Sequence, residues 1–248
     1  MESPEIKIRE VEALEELDVC LDLQREVFNY PDLEVSPTRH LVVTKHAGGF
    51  TLGAFDGPRL VGFVLTVPAF RGDERIYYSH MTCVSGRYQG AGIGARLKWA
   101  QRDRALEEGV KFIKWTFQPV QARNAFFNLE KLGAVIRRYL PNFYGTDFFG
   151  VVDRVPIDSD RLFAEWELGS EKVSAFARGE KFAESGEIRR RVAIPPDWNA
   201  LLKTDPRAAA DGQRRIKEKF RSALAEGFIC RGFQRDAIRP EFLFFDPD

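Results

Sequence analysis

Six consecutive residues, Gln89-Gly90-Ala91-Gly92-Ile93-Gly94, carry the first chemical signal in this sequence. They follow an apolar run, Ile76 to Val84, that reads as a strand with a turn at Ser85-Gly86, and they lead into a helical segment stopped by Gly109. A glycine loop between a strand's C-terminal end and a helix N-terminus gathers unbonded backbone N–H groups and the positive end of the helix dipole at one point. That point suits a phosphate. The spacing is not the dinucleotide fingerprint, which needs another glycine pattern and an acidic residue about 20 positions later, and the loop lacks the Lys-Ser/Thr pair of a P-loop. The competing reading is a tight turn that needs glycine for its backbone alone. His80 is the best-placed side chain for proton exchange near neutral pH. It lies four residues before Val84, so strand alternation puts Tyr78, His80, Thr82 and Val84 on one face. It reads equally as a general base and as a core histidine bonded to a neighbour. Cys83 lacks a histidine and acid partner in the pattern and reads as a small strand residue, not a nucleophile.

The elements that must position these residues follow from periodicity. Glu5 to Val11 alternates and predicts a first strand; Leu14, Leu17, Cys20, Leu21, Val27 and Phe28 predict a helix to about Asn29, closed by Pro31. Ser36-Pro37-Thr38 predicts a second helix with serine as N-cap and proline at the first position, running to about Lys45 before Gly48-Gly49. Phe50 to Phe55 and Leu60 to Val67 flank Asp56-Gly57-Pro58, a hairpin signal, and Ile76 to Val84 supplies a third antiparallel strand after a polar turn at Arg71 to Arg75. The glycine-loop helix spans Ala91 to Glu108, with Ile93, Leu97 and Ala100 on one apolar stripe, Trp99 and Leu106 on another, and Arg96, Lys98, Arg102 and Arg104 pointing elsewhere. Then come a strand (Phe112 to Phe117), a helix (Ala122 to Leu132) stopped by Gly133, and a strand (Val135 to Leu140).

The chain continues with a half-buried strand in which Leu162, Ala164, Trp166 and Leu168 alternate with Arg161, Phe163, Glu165 and Glu167, a helix (Ser170 to Glu180) and a strand (Arg189 to Ile194). Asp205-Pro206 starts the clearest helix, ended by Gly227, and strands follow at Phe228 to Gln234 and Glu241 to Phe245. The positive run Arg189 to Arg191 reads as a solvated strand face.

Composition bounds the function. Lys plus Arg and Asp plus Glu each number 37 in 248 residues, so no net field points to nucleic acid or an anionic membrane as partner. Three widely spaced cysteines, Cys20, Cys83 and Cys230, argue against a disulfide framework or a structural zinc site and for a reducing compartment. No 18-residue apolar stretch and no leader pattern is present, which predicts a soluble, cytoplasmic protein.

The loop resembles the pyrophosphate loop of the GNAT superfamily of N-acetyltransferases, Q/R-x-x-G-x-G/A, met here by Gln89, Gly92 and Gly94, with Val84-Ser-Gly-Arg-Tyr88 as its lead-in. The order strand, helix, helix, three antiparallel strands, helix, strand, helix, strand over residues 5 to 145 is similar to that family's fold. The resemblance implies an α/β (α+β) architecture, a mixed, mostly antiparallel sheet flanked by helices. It divides the chain into an acetyltransferase domain over 1–155 and an additional α/β extension over 156–248 that completes or extends the sheet or forms a partial second unit of the same kind.

It also implies acetyl-coenzyme A as co-substrate, with no metal, direct transfer to an amine acceptor, and cofactor contacts from Cys83, Val84, Gln89, Gly90, Ala91, Gly92, Ile93, Gly94 and Asn124. Glu130-Lys131-Leu132-Gly133 matches the family's next helix, but its frequent tyrosine acid is Leu129 here and the following aromatic is Ala134. Tyr144, then Tyr139, are the substitutes for that acid, packing being the alternative for both. The aromatics Phe28, Tyr30, Phe143, Tyr144, Phe148 and Phe149 tilt the acceptor toward a small, partly apolar amine; His40 and His46, in the second-helix region, read equally as residues on the acceptor side and as solvent-exposed ones, and homo-oligomerisation stays open. The rival reading is a non-catalytic acyl-coenzyme A binding module.

Overall fold

A computed structural model describes residues 5–145, 151–152 and 155–247. Phe148 and Phe149 lie outside the described residues. The chain divides into two compact units, Met1–Lys114 and Trp115–Asp248.

In the first unit, β1 (Ile6–Glu10), α1 (Leu14–Phe28) and α2 (Thr38–His46) precede β2 (Phe50–Asp56), β3 (Arg59–Arg71) and β4 (Glu74–Val84); α3 (Ile93–Glu107) and the start of β5 (Phe112–Phe117) complete it. The four strands β1 to β4 pair antiparallel in sequence order. β4 then pairs in parallel with β5 at Tyr77↔Ile113 and Tyr78↔Lys114. The β3–β4 hairpin is longer than its sequence suggests: it runs to a two-residue tip at Gly72-Asp73, with Pro68 seated opposite Tyr77. Ser36 does not cap α2. Pro37 occupies the N-cap position and no side chain bonds there, because both backbone groups of Ser36 are bonded to α1.

One slip in register shapes β4. Leu65 faces Met81 but Thr66 faces Ser79, so His80 is an extra residue, a β-bulge. The alternation expected for Tyr78, His80, Thr82 and Val84 therefore breaks. Before the bulge, Ser79 reaches α3 through Lys98, whereas after it Cys83, with Met81 beside it, packs into the cluster of Val11, Leu17, Cys20, Leu23 and Leu41 on the other face of the sheet. Val84 returns to the α3 side, with its Cγ2 3.9 Å from where a Gly94 side chain would begin.

On α3 the buried residues are Ile93, Leu97, Lys98, Gln101 and Ala105, so Lys98 does not point outward as its charge suggests. It is 2% exposed; its Nζ donates to Ser79 Oγ (2.9 Å) and Gln101 Oε1 (2.6 Å), and Gln101 Nε2 donates to Thr66 Oγ1 (2.7 Å). Buried donors and acceptors are tolerated when each finds such a partner. Burial holds the Lys98 pKa well below the usual lysine range.

In the second unit, α4 (Ala122–Phe126) runs into a π-helical turn, Phe127–Lys131, where a regular α-helix is expected. The turn is closed by Leu132 N–H on the Phe127 carbonyl, and the Trp166 indole donates to the Leu132 carbonyl at 2.7 Å. β6 (Val135–Leu140), the short pair β7 (Val151–Val152) and β8 (Val155–Pro156), β9 (Arg161–Glu167), α5 (Glu171–Ala177), β10 (Arg190–Ala193), α6 (Trp198–Thr204), α7 (Pro206–Ala225), β11 (Ile229–Gln234) and β12 (Glu241–Phe245) follow. Strands pair in the order β9-β6-β11-β12-β10, all antiparallel. β9 is buried on both faces, not half-buried: Arg161 and Phe163 are covered as well as Leu162, Ala164 and Trp166. Asp205 caps α7 by accepting from Ala208 N–H at 2.9 Å, and the helix packs Phe220 against Phe242 and Phe244.

The buried lysine gives a pH test. Its folded-state pKa is depressed, so between that pKa and about 10.4, the ordinary lysine value, the unfolded chain holds more protons and stability rises with pH. The contribution is complete above the unfolded value and is lost as pH falls toward the folded one. Denaturant unfolding of Lys98→Met from neutral pH to about pH 9.5 is expected to show a flatter rise than the wild type, by up to about 1.4 kcal/mol per pH unit. Equal slopes would mean that the lysine stays charged in the folded chain.

Candidate functional site

The glycine loop sits where the sequence puts it, between the end of β4 and the start of α3. Gly90 and Gly92 have φ of 85° and 77°, in the left-handed region, and a side chain begun at either would meet nothing within 4 Å. Gly92 is the N-cap of α3 and, having no side chain, supplies no cap bond of its own. The first turn of a 15-residue helix, whose leading N–H groups have no intrahelical partner, thus begins beside an exposed loop, Gln89 to Gly92. Ile93 is buried and anchors the turn from beneath.

Side chains hold the lead-in. Glu26 on α1 accepts from Ser85 Oγ (2.7 Å) and from Gly86 N–H (2.8 Å), and these bonds hold its carboxyl below the usual range. Tyr88 donates to Asp56 Oδ2 at 2.7 Å. Gln89 turns back and donates its amide to the Val84 carbonyl at 3.0 Å, so this residue of the loop pattern braces the strand end. Glu26 is not marked in the sequence, since nothing local identifies a carboxylate that will cap a turn 59 residues away, and Asp56 reads there only as part of a hairpin turn.

The parallel pairing of β4 ends at Tyr78. From Ser79 to Val84 no strand of this unit, among the described residues, covers the edge of β4 that faces away from β3. Half of the backbone groups of such a stretch point outward, ready to pair with an extended ligand. Cys83 and Val84 both lie there, with Cys83 2% exposed and its thiol pushed up by burial and by Cys20, which fits a packing residue and not a nucleophile.

His80 projects from the bulge toward the α1–α2 connection. Its Nε2 is 3.4 Å from Ser36 Oγ, and its ring meets the His40 ring edge-on with centroids 5.8 Å apart. Part of the ring stays open to solvent, yet the atoms packed around it, and then His40, lower its pKa. A lowered pKa keeps the imidazole neutral, and a neutral imidazole can accept a proton. His46 is exposed at the far end of α2; Phe28 and Tyr30 stack at 5.1 Å where α1 ends.

The other candidates belong to the second unit. Asn124 is exposed on α4, while Leu129 is fully buried in the π-helical turn. Tyr139 is buried and donates its hydroxyl to Asp160 Oδ2 at 2.7 Å; burial, then Asp160, raises its pKa. Tyr144 is 44% exposed, its ring 4.7 Å from Phe143, and its N–H donates to Ser159 Oγ at 2.7 Å. Of the two tyrosines, Tyr144 is the one at the surface. Among the described residues no three His, Cys, Asp or Glu side chains are grouped to hold a metal ion.

Comparison with known proteins agrees with this geometry. Residues 14–134 match the model of the acetyltransferase (GNAT) family. Similar solved structures include the ribosomal-protein-S18-alanine N-acetyltransferase of Escherichia coli (TM-score 0.53, 15% identity, 66% of this chain and 95% of that one). A GNAT family acetyltransferase of Elizabethkingia anophelis with acetyl-CoA bound is similar too (0.52, 15%, 67% and 100%), as is aminoglycoside 6'-acetyltransferase type Ii (0.52, 20%, 66% and 99%). No curated protein matches the chain in sequence. With the loop, the open strand edge and the element order in place, residues 14–134 are an acetyltransferase domain of the GNAT family.

Proposed function

We propose that this protein transfers the acetyl group of acetyl-coenzyme A to an amine, with both substrates bound at once. The observation that carries the reading is the uncapped start of α3 behind two left-handed glycines, where any side chain would fill space that now stands open. A pyrophosphate fits that cradle: the N–H groups and the helix dipole supply its charge complement without a cation. Acetyl-coenzyme A supplies an acyl group activated as a thioester. Cys83 and Val84 offer outward backbone groups to its extended arm, and Asn124 is proposed to lie along the same ligand.

In this reading the chain contributes position and one base. The open edge of β4 orients one reactant, and holding two reactants together removes several kcal/mol of entropic barrier. His80, kept neutral by its surroundings, accepts the proton that an attacking amine must lose, directly or through a water. Tyr144 is assigned the return of a proton to the departing sulfur. The acceptor is proposed to be a small, partly apolar amine; peptides are the alternative, since similar structures include a complex bound to a peptide. Residues 156–248 are proposed as an extension of the acetyltransferase part, 1–155, a division supported by β11, β12 and β10 continuing the sheet from β6. The burial of Leu129 and the engagement of Tyr139 favour a second reading, an acyl-coenzyme A binding module without turnover.

Calorimetric titration with acetyl-coenzyme A, desulfo-coenzyme A and ADP tests the site. Saturable binding that requires the pantetheine arm is expected, and Gly92→Trp should weaken it at least about tenfold, or about 1.4 kcal/mol. Unchanged affinity in that variant would remove the loop from the site. An amine screen with thiol detection separates the two readings by turnover.

For His80, kcat/KM is expected to fall as pH drops through a pKa below about 6.5 and to stay level above it. His80→Ala should lose about 100-fold in rate together with that acidic limb, while acetyl-coenzyme A still binds. A variant that kept both would return the histidine to a packing role.

A further inference from the structure

The site contains a side chain that neither the family resemblance nor the loop explains. Gln24, on α1, is fully buried. An apolar residue would pack there at lower desolvation cost, so the amide needs a reason. Its partners supply one: Gln24 Oε1 accepts from Ser36 N–H at 2.8 Å, and Gln24 Nε2 donates to the Ser36 carbonyl at 3.2 Å. The amide pairs with one residue's N–H and C=O as a neighbouring strand would, which also settles which end of the amide is oxygen. Both backbone groups of Ser36 are thereby fixed, and from that fixed origin its side chain takes one of three staggered directions.

That direction is His80. Ser36 Oγ lies 3.4 Å from Nε2, and it is the hydrogen-bond partner of this ring among the described residues. His40, on the first turns of α2, meets the same ring edge-on, with centroids 5.8 Å apart. The bulge that turns His80 to this face is held from behind by Ser79 on Lys98. A neutral imidazole has one N–H and one lone pair, and a base needs the lone pair free. If Ser36 Oγ accepts from Nε2–H, the free nitrogen is Nδ1; if it donates instead, the Nε2 lone pair is engaged and Nδ1 carries the proton.

We propose that Gln24 and Ser36 are positioning residues for His80: the buried amide clamps Ser36, whose Oγ accepts from Nε2–H and so leaves the basic lone pair on Nδ1. The catalytic consequence rests on the reading of His80 as the base. The tautomer itself does not, and this separates the two.

The test is ring nitrogen-15 NMR on the full chain above the His80 titration, with His40→Gln and His46→Gln assigning the three histidines. The wild type should show the Nε2–H tautomer at His80. Ser36→Ala and Gln24→Leu should shift it toward the tautomer mixture and lower kcat about tenfold, with KM for acetyl-coenzyme A unchanged, as expected of a misplaced group. Ser36→Thr should restore both. An Nδ1–H tautomer in the wild type, or ring shifts in Ser36→Ala equal to the wild type, would overturn the proposal; Ser36→Ala decides the matter even if Gln24→Leu fails to fold. Were His80→Ala to keep full turnover while Ser36→Ala still moved the shifts, the clamp would stand and the base would be elsewhere. Loss of turnover in His80→Ala with unmoved shifts would leave the base and remove the clamp.

Discussion

The extra residue at His80 in β4 decides which way every later side chain of that strand faces. Side chains alternate along a strand, so one unpaired residue exchanges the two faces for everything beyond it. Here Tyr77 and Ser79 belong to the α3 side, whereas Met81 and Cys83 belong to the side of α1 and α2. β3 runs unbroken at this level, with Leu65 packed toward α1 and Thr66 toward α3; its own extra residue, Val61, falls earlier, where it pairs with β2. The bulge thus lets one strand satisfy two demands, a polar contact to the loop helix in its first half and an apolar core in its second. A strand without it would place either Ser79 in an apolar cluster or Cys83 against α3.

Holding the bulge falls to groups on both faces. Behind it, Lys98, Gln101, Ser79 and Thr66 form a buried polar set, each bonded to another member. Such a set is costly when half satisfied and rigid when complete. It ties α3, whose first turn is the glycine cradle, to the strand residue next to His80. In front, Ser36 and His40 meet the His80 ring. The cradle and the proposed base are therefore fixed by the same strand and helix, which is the condition for two reactants to meet in a set geometry.

Much of this was readable from residues alone, for physical reasons that differ by element. The cradle was legible because left-handed backbone at Gly90 and Gly92 demands glycine, and glycine is visible. The Asp205 cap was legible because its bond is local. The bulge was not: an extra residue leaves the composition of a strand unchanged and shows only in its pairing partner. Lys98 was placed outside because a charged side chain usually is, and the partners that make its burial tolerable, Ser79 and Gln101, are ordinary residues in sequence. Ser36 read as a cap by its type, but Gln24, 12 residues earlier, had already taken its backbone. The sequence analysis places no element between the Arg189 to Ile194 strand and Asp205, whereas α6 lies there with a local cap, the Asp197 side chain accepting from Ala200 N–H.

Leucine at position 129 is the strongest argument against turnover, and its weight can be bounded. Leu129 is buried in the π-helical turn and Tyr139 is committed to Asp160, so neither offers a proton to a departing thiolate. A thiol has a pKa near about 8.5, so a thiolate is a good leaving group near neutral pH and takes its proton from water once free. General acid help to such a group is worth at most about 10²- to 10⁴-fold, against effective molarities of about 10⁵ to 10⁸ for well-oriented reactants. The deprotonation of the amine is the harder demand, because a protonated amine has no lone pair with which to attack. On the proposed reading, the cradle, the strand edge and His80 supply the contributions that weigh most in the rate, so leucine at position 129 is compatible with turnover as well as with a binding module.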